Sequence, residues 1–311
     1  MTSSPPPHLV IVFGYNRVDK LRNRLLELRK ISPPKILVSI DFFSEEMSAD
    51  FNFLMETEQG TWPENSTLEF KIHGRNLGLV RHITETITDC LRTYEFVILV
   101  EDDISVSEGF YNSSLAYITK KSFHERYTSF SGYSIFPAIR GVDRYNLLRE
   151  SPYFACWGWV VSRENWKDFK VDLRGEEITE TLSNSKVWNN LNLKQRETWL
   201  GRFKKSQENP WNTWDIQFQY HSFKLDKLNL VPTLRIVENE GFDDPRSTHT
   251  QNIRPRIMGR FRFSNKKVRS KFLPKSINKH TTRMESQLFY QDSRQLFNLV
   301  KRLKKLTNFQ F

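Results

Sequence analysis

The sequence predicts an α/β fold: a mostly parallel, doubly wound sheet flanked by helices, followed by a basic, partly helical C-terminal tail. Three observations lead there. Short apolar runs alternate with stretches of helical periodicity through the first part of the chain. Those runs end on breaks carrying polar and charged residues, where sheets of this kind bind ligands. The charge is also divided. Residues 251–311 hold 16 Lys/Arg against Glu285 and Asp292, a net of +14, whereas residues 1–250 hold 31 basic and 34 acidic residues, a net of −3.

His8 to Phe13 is the first apolar run, ended by Gly14-Tyr15-Asn16-Arg17. Val18 to Lys30 follows with Val18, Leu21, Leu25, Leu26 and Leu28 at helical spacing, and Pro33-Pro34 stops it. Lys35 to Ile40 is an aliphatic, partly β-branched run ending at Asp41. Ser44 to Glu58 reads as a helix with Ser44 as its cap. Leu68 to Ile72 is a third strand, followed by Arg75-Asn76-Leu77-Gly78 and a helix from Leu79 to Thr93. Phe96 to Val100 is a fourth strand, running into Glu101-Asp102-Asp103. Asn16, Arg17, Asp41 and the acidic triplet thus share strand ends, which is the first positional sign of a site.

Composition narrows the function classes. A 38% hydrophobic share with 14% aromatics excludes a wholly disordered chain. Cys90 and Cys156 are too few for a disulfide scaffold or a four-thiolate zinc site, and read as buried thiols of a reducing compartment. The apolar runs fall far short of the roughly 20 residues of a membrane span. Met1 to Pro7 lacks the basic start and apolar core of a signal peptide, so a cytoplasmic location is expected. No G-x-G-x-x-G turn follows the first strand and no G-x-x-x-x-G-K-[ST] occurs, which counts against dinucleotide-binding and P-loop enzymes.

The acidic triplet carries the chemistry. Adjacent like charges repel at the mouth of a cleft, and a divalent cation relieves that repulsion. Hard oxygen ligands suit Mg2+ or Mn2+, which commonly take one or two carboxylates plus substrate phosphates. The alternative is an acidic loop capping a helix that starts near Ser107-Glu108. Arg17 is placed to pair with a phosphate through its planar fork. Arg81 and His82 can reach the same pocket, with no basis for choosing between them.

Ile98-Leu99-Val100-Glu101-Asp102-Asp103-Ile104, with Gly109-Phe110-Tyr111 after it, resembles the nucleotide and metal segment of GT-A glycosyltransferases. The likeness is to N-acetylglucosaminyltransferase I and related bacterial sugar transferases. Further segments resemble that family in the same order. They are His8 to Phe13 with Asn16-Arg17, Ile36 to Asp41, Tyr153 to Trp159, Trp214-Asp215, and Asn239 to Phe242 with Ser247-Thr248-His249. Residues 8–250 would be the GT-A domain and residues 251–311 a basic extension.

The resemblance implies metal-dependent, inverting transfer from a nucleoside diphosphate sugar, UDP-sugar favoured, to a glycan or lipid-linked acceptor in surface polysaccharide synthesis. It implies Asp103 as the metal ligand, with Glu101 and Asp102 on the ribose or on the metal's waters. It implies Asp41 on the uracil N–H, Asp215 as the catalytic base, and His249 beside the diphosphate. His249 otherwise reads as a surface-loop histidine. Its loop, Asp243-Asp244-Pro245-Arg246, is charged enough to be a lid, with Arg246 a second phosphate clamp. Trp157 and Trp159 share one face if they lie in a strand, either core or acceptor-side cleft wall. Trp211 and Trp214 pose the same question beside Asp215.

The tail ends with Leu296, Leu299, Val300, Leu303 and Leu306 on one helical face, flanked by Lys301, Arg302, Lys304 and Lys305. Such a helix suits an anionic membrane surface, as a peripheral protein on the inner face, or docks on its own domain. Nucleic acid is disfavoured, because the charge is confined to the tail. Two other readings stay open. A sugar nucleotidyltransferase is weakened by the missing Gly-rich, basic phosphate loop after strand one. A non-catalytic membrane- or nucleic-acid-binding protein would rest on the tail alone.

Overall fold

The computed structural model describes residues 5–42, 44–134, 148–232, 235–241, 244 and 246. The chain opens with β1 (His8–Gly14), α1 (Val18–Ile31), β2 (Lys35–Ile40), α2 (Glu45–Thr61), β3 (Thr67–Ile72), α3 (Leu79–Thr93) and β4 (Phe96–Glu101). It continues with β5 (Ile104–Val106), α4 (Glu108–Thr119), α5 (Lys121–Arg126), β6 (Tyr127–Ser131), β7 (Leu148–Ser151), β8 (Trp159–Ser162) and α6 (Arg163–Trp166). Then come α7 (Ile178–Ser183), α8 (Lys186–Asn189), α9 (Leu193–Glu208), α10 (Asp215–Lys224), β9 (Leu228–Pro232) and β10 (Val237–Asn239).

Eight strands form one sheet in the order β3-β2-β1-β4-β8-β6-β9-β7. The first four are mutually parallel. Beyond β4 the sheet is mixed: β8 runs antiparallel to β4 and β6, β9 parallel to β6, and β7 antiparallel to β9. The expected sheet flanked by helices is present, with this mixed half added to it.

The apolar runs are continuous because both sheet faces are covered. Val10 and Val12 of β1 and Ile98 and Val100 of β4 face one core, with Leu21 and Leu25 of α1 and Phe51 of α2. Leu9, Ile11, Val97 and Leu99 face the other, with Ile83, Ile87 and Leu91 of α3. The chain leaves β1 toward β2 and β3, then returns across α3 to place β4 on β1's other side. The carboxyl ends of β1 and β4 therefore flank a topological switch point, where such sheets open a crevice.

A two-stranded sheet extends beyond β4. β5 pairs antiparallel with β10, with Ile104 opposite Asn239 and Val106 opposite Val237. Ser107 caps α4 by accepting a hydrogen bond from the Phe110 amide at 3.2 Å. The acidic triplet is therefore not the cap of that helix. Ser44 occupies the N-cap position of α2 but makes no side-chain capping bond. Among the described residues no helix is long and apolar enough to cross a membrane. His249 and the whole tail, 251–311, lie outside the described residues.

Candidate active site

Arg17, at the end of β1, reaches across to the end of β4. Its Nε donates to Asp102 Oδ2 at 3.2 Å, its Nη2 to Asp102 Oδ1, and its Nη1 to Asp103 Oδ2 at 3.1 Å. The fork expected to meet phosphate thus serves the acidic triplet itself. Burial alone would lower the guanidinium pKa, but Asp102 and Asp103 beside it hold it above its ordinary value. Burial, opposed by Arg17 and reinforced by Asp103, pushes the Asp102 carboxyl up to about 6. Glu101 is held well above the ordinary carboxylate range, by burial first and then by Asp103, Asp102 and Asp215.

Asp215 therefore lies within electrostatic reach of Glu101, although more than a hundred residues separate them in the chain. It begins α10, and the Thr213 hydroxyl donates to its Oδ1. Cys156 sits at the same junction. Burial, then Asp215 and Glu101, push its thiol well above the usual range, so it is a poor nucleophile there. Cys90 is likewise pushed up to about 11 by burial, and both cysteines are free thiols.

The segment after β10 closes over this cluster. The Glu240 amide donates to the Asp103 carbonyl at 2.7 Å. A Cβ on Gly241 would lie 2.3 Å from Asp103 Oδ2, so only glycine lets the backbone come so close. Lys20 and Arg24 of α1 hold Glu240 at 3.2 and 3.3 Å. Arg246 forks onto Asp19 at 2.7 and 2.9 Å and onto Asp244 at 2.9 Å. Its planar face is spent on two carboxylates, so the expected phosphate clamp is here a tie between this segment and α1.

Several other candidates take different places from those expected. Asp41 is 3% exposed, and its carboxylate accepts the Leu77 and Gly78 amides at 2.7 and 3.1 Å. It fixes the turn that starts α3 and does not lie open to a base. Asn16 is partly buried in the turn after β1. His82 points into the interior: its Nε2 lies 2.9 Å from Ser39 Oγ, and its ring packs edge-on against Phe13 and His73. Burial and the His73 charge push it down to about 3, which makes it a neutral core histidine. Arg81, on the first turn of α3, lies 4.7 Å over the exposed Trp211 ring.

Trp157 and Trp159 do not share a face. Gly158 between them adopts φ +58, which turns the chain before β8 starts. Trp157 packs edge-on to Tyr133 at 4.5 Å on one side of the sheet. Trp159 is buried on the other, stacked on Trp214 at 5.3 Å and against Phe154 at 4.8 Å. Trp159 and Trp214, expected on the acceptor side, are thus core residues that anchor the start of α10.

Among the described residues no three His, Cys, Asp or Glu side chains group as metal ligands. The donor chemistry still suits a hard cation. Asp103 uses only Oδ2 toward Arg17, and among the described residues Oδ1 takes no hydrogen bond. One carboxylate with substrate phosphates is an ordinary Mg2+ arrangement.

No family model matches the chain, and no curated protein is significantly similar to it. Among solved structures, HddC from Yersinia pseudotuberculosis is similar at 13% identity and a TM-score of 0.31, covering 51% of this chain and 77% of that one. HddC complexed with GMP-PN gives 16% identity and a TM-score of 0.33, over 52% and 80% of the two chains. A likeness at this level carries no argument about what this chain does.

Proposed function

We propose that the chain is a glycosyltransferase that moves a sugar, with inversion, from a nucleoside diphosphate sugar to a glycan or lipid-linked acceptor. A UDP-sugar is the favoured donor and surface polysaccharide synthesis the setting. The observation that carries this reading is that Asp215, at the start of α10, lies within electrostatic reach of Glu101, which closes β4 beside Asp102 and Asp103 at the switch point of the sheet. A carboxylate base on one side of a crevice and a diphosphate site on the other suit a single displacement. The acceptor oxygen bonds to the anomeric carbon as the bond to the diphosphate breaks, and its proton passes to Asp215.

Asp103 would hold Mn2+ or Mg2+ through Oδ1, with Asp102 behind it. When bound, the cation supplies Lewis-acid neutralisation of the leaving diphosphate. Arg17, already seated between Asp102 and Asp103, orients those carboxylates. Glu101 closes β4 beside them, its carboxyl held above the ordinary range by burial and by its acidic neighbours.

The test is incubation with a panel of nucleotide sugars and Mn2+, reading released nucleoside diphosphate. Asp215→Asn should cut turnover roughly 10²–10⁴-fold, the usual span for a general base. Its affinity for UDP should stay unchanged, because the base meets acceptor. UDP should bind more tightly with Mn2+ than with chelator in calorimetry, and Asp103→Ala should remove that difference. Pyrophosphate release from a nucleoside triphosphate and a sugar phosphate would assign a nucleotidyltransferase instead. UDP binding that ignores Mn2+ would remove the metal from the reading.

A further inference from the structure

Removing Trp159 and Trp214 from the acceptor side leaves one tryptophan near Asp215 that the core does not use. Trp211 is 48% exposed, four residues before Asp215. Four residues of chain span roughly 14 Å at most, which bounds the backbone distance between the two. Its exposure is built in. The preceding Pro210 carbonyl accepts a hydrogen bond from the buried Gln217 side chain at 2.8 Å. Three residues on, Trp214 is locked between Trp159 and Phe154. The turn that carries the indole is thus pinned at both ends.

The second half of the feature comes from α3. The Arg81 guanidinium lies 4.7 Å from the centroid of the Trp211 ring. Arg81 is exposed, and among the described residues no carboxylate pairs with it. Its base is fixed as well, since the Asp41 carboxylate holds the Leu77 and Gly78 amides just ahead of the helix. A rigid, exposed indole offers a flat apolar surface to the C–H face of a sugar ring. The guanidinium over one face of that ring, with no carboxylate partner among the described residues, offers a fork for a carboxylate or a phosphate.

We infer that Trp211 and Arg81 form the acceptor subsite, and that the acceptor is an anionic glycan whose sugar ring lies on Trp211 and whose acidic group meets Arg81. The inference rests on Asp215 being the base, because that role puts the acceptor, not the donor, on this side of the crevice. It also names the acceptor's chemistry, which the proposed function leaves open. The acidic group comes either from a uronate or from a sugar phosphate.

Binding of three probes by calorimetry tests it, with the full chain: hyaluronan tetrasaccharide for the uronate, N-acetylglucosamine 1-phosphate for the phosphate, and chitotetraose as the uncharged control. One of the two anionic probes should bind at least about tenfold more tightly than chitotetraose, in keeping with a charge-assisted bond. Arg81→Gln should abolish that preference, and Trp211→Ala should abolish binding of all three. Both side chains are exposed, so both variants should melt as the wild type does. UDP binding, measured in the same proteins, should be unaffected. Equal binding of charged and uncharged probes, no binding of any probe, or variants that bind like the wild type would each overturn the subsite. If oligosaccharide binds as expected while no nucleotide sugar is turned over, the transferase reading falls, and Trp211 and Arg81 form an anionic-glycan binding site that is not an acceptor subsite.

Discussion

Protonating His82 means placing a charge among Phe13, Ser39 and His73. Burial, helped by the His73 charge, pushes its pKa down to about 3, against about 6.5 for the unfolded chain. Between those values the unfolded state binds the extra proton. Stability is therefore full above about pH 6.5 and is lost as pH falls toward 3. From pH 7 to 5.5 one such histidine costs about 1 kcal/mol. His221, bonded to the Asn165 carbonyl at 3.0 Å and pushed down to about 4 chiefly by burial, acts in the same direction. His82→Gln keeps a polar atom for Ser39 but does not titrate. It should flatten the pH dependence of the urea unfolding free energy by about 1 kcal/mol over that span, while leaving UDP affinity unchanged. An unaltered pH slope, or lost nucleotide binding, would return His82 to the donor pocket. At this scale residue types were legible and partners were not. Arg17 and Asp102 stand out as strand-end charges, yet their pairing spans 85 positions and has no local signature.

At the scale of elements, legibility followed strand length and burial. β1, β2, β3 and β4 are six or seven residues long, and the runs of β1, β2 and β4 are nearly continuous in aliphatic side chains. β5, β7, β8 and β10 have only three or four residues, too short for any periodicity to register. The Trp157/Trp159 misreading belongs here: alternation holds within a strand, and β8 starts only at Trp159, after the turn at Gly158. The left-handed backbone at Gly158 costs an L-residue about 1–2 kcal/mol. A Cβ there would also lie 2.8 Å from Val237 Cγ1 in β10. Gly158→Ala should therefore destabilise the protein by about 2 kcal/mol or more in urea unfolding. Gly175→Ala is the control, with φ +81 and nothing within 4 Å of its Cβ. It should cost only the backbone term. Equal losses in the two variants would mean that β10 yields at Val237, and with it the approach of Gly241 to Asp103.

For the whole molecule the decisive property is where charge sits relative to the site. The strands converge on a crevice whose carboxylates are balanced by Arg17, while the net +14 of residues 251–311 lies after the last described element. A body with net −3 has no long-range attraction for an anionic bilayer, so any such attraction must come from the tail. Each Lys or Arg near an anionic surface contributes roughly 1 kcal/mol, and the effect decays within a Debye length of about 8 Å at physiological salt. The tail as a peripheral anchor, which would bring the crevice to a lipid-linked acceptor, thus makes a definite expectation. The full chain should sediment with phosphatidylglycerol vesicles at low salt and much less at 0.5 M salt, roughly a 4 Å screening length. A chain ending at residue 250 should not sediment with them at either salt, yet should melt at the same temperature and bind UDP with the same affinity. Salt-independent sedimentation would point to apolar insertion of the Leu296–Leu306 face in place of charge. Loss of the melting transition on truncation would show instead that the tail is part of the folded body, with its apolar face docked and its basic face turned to water.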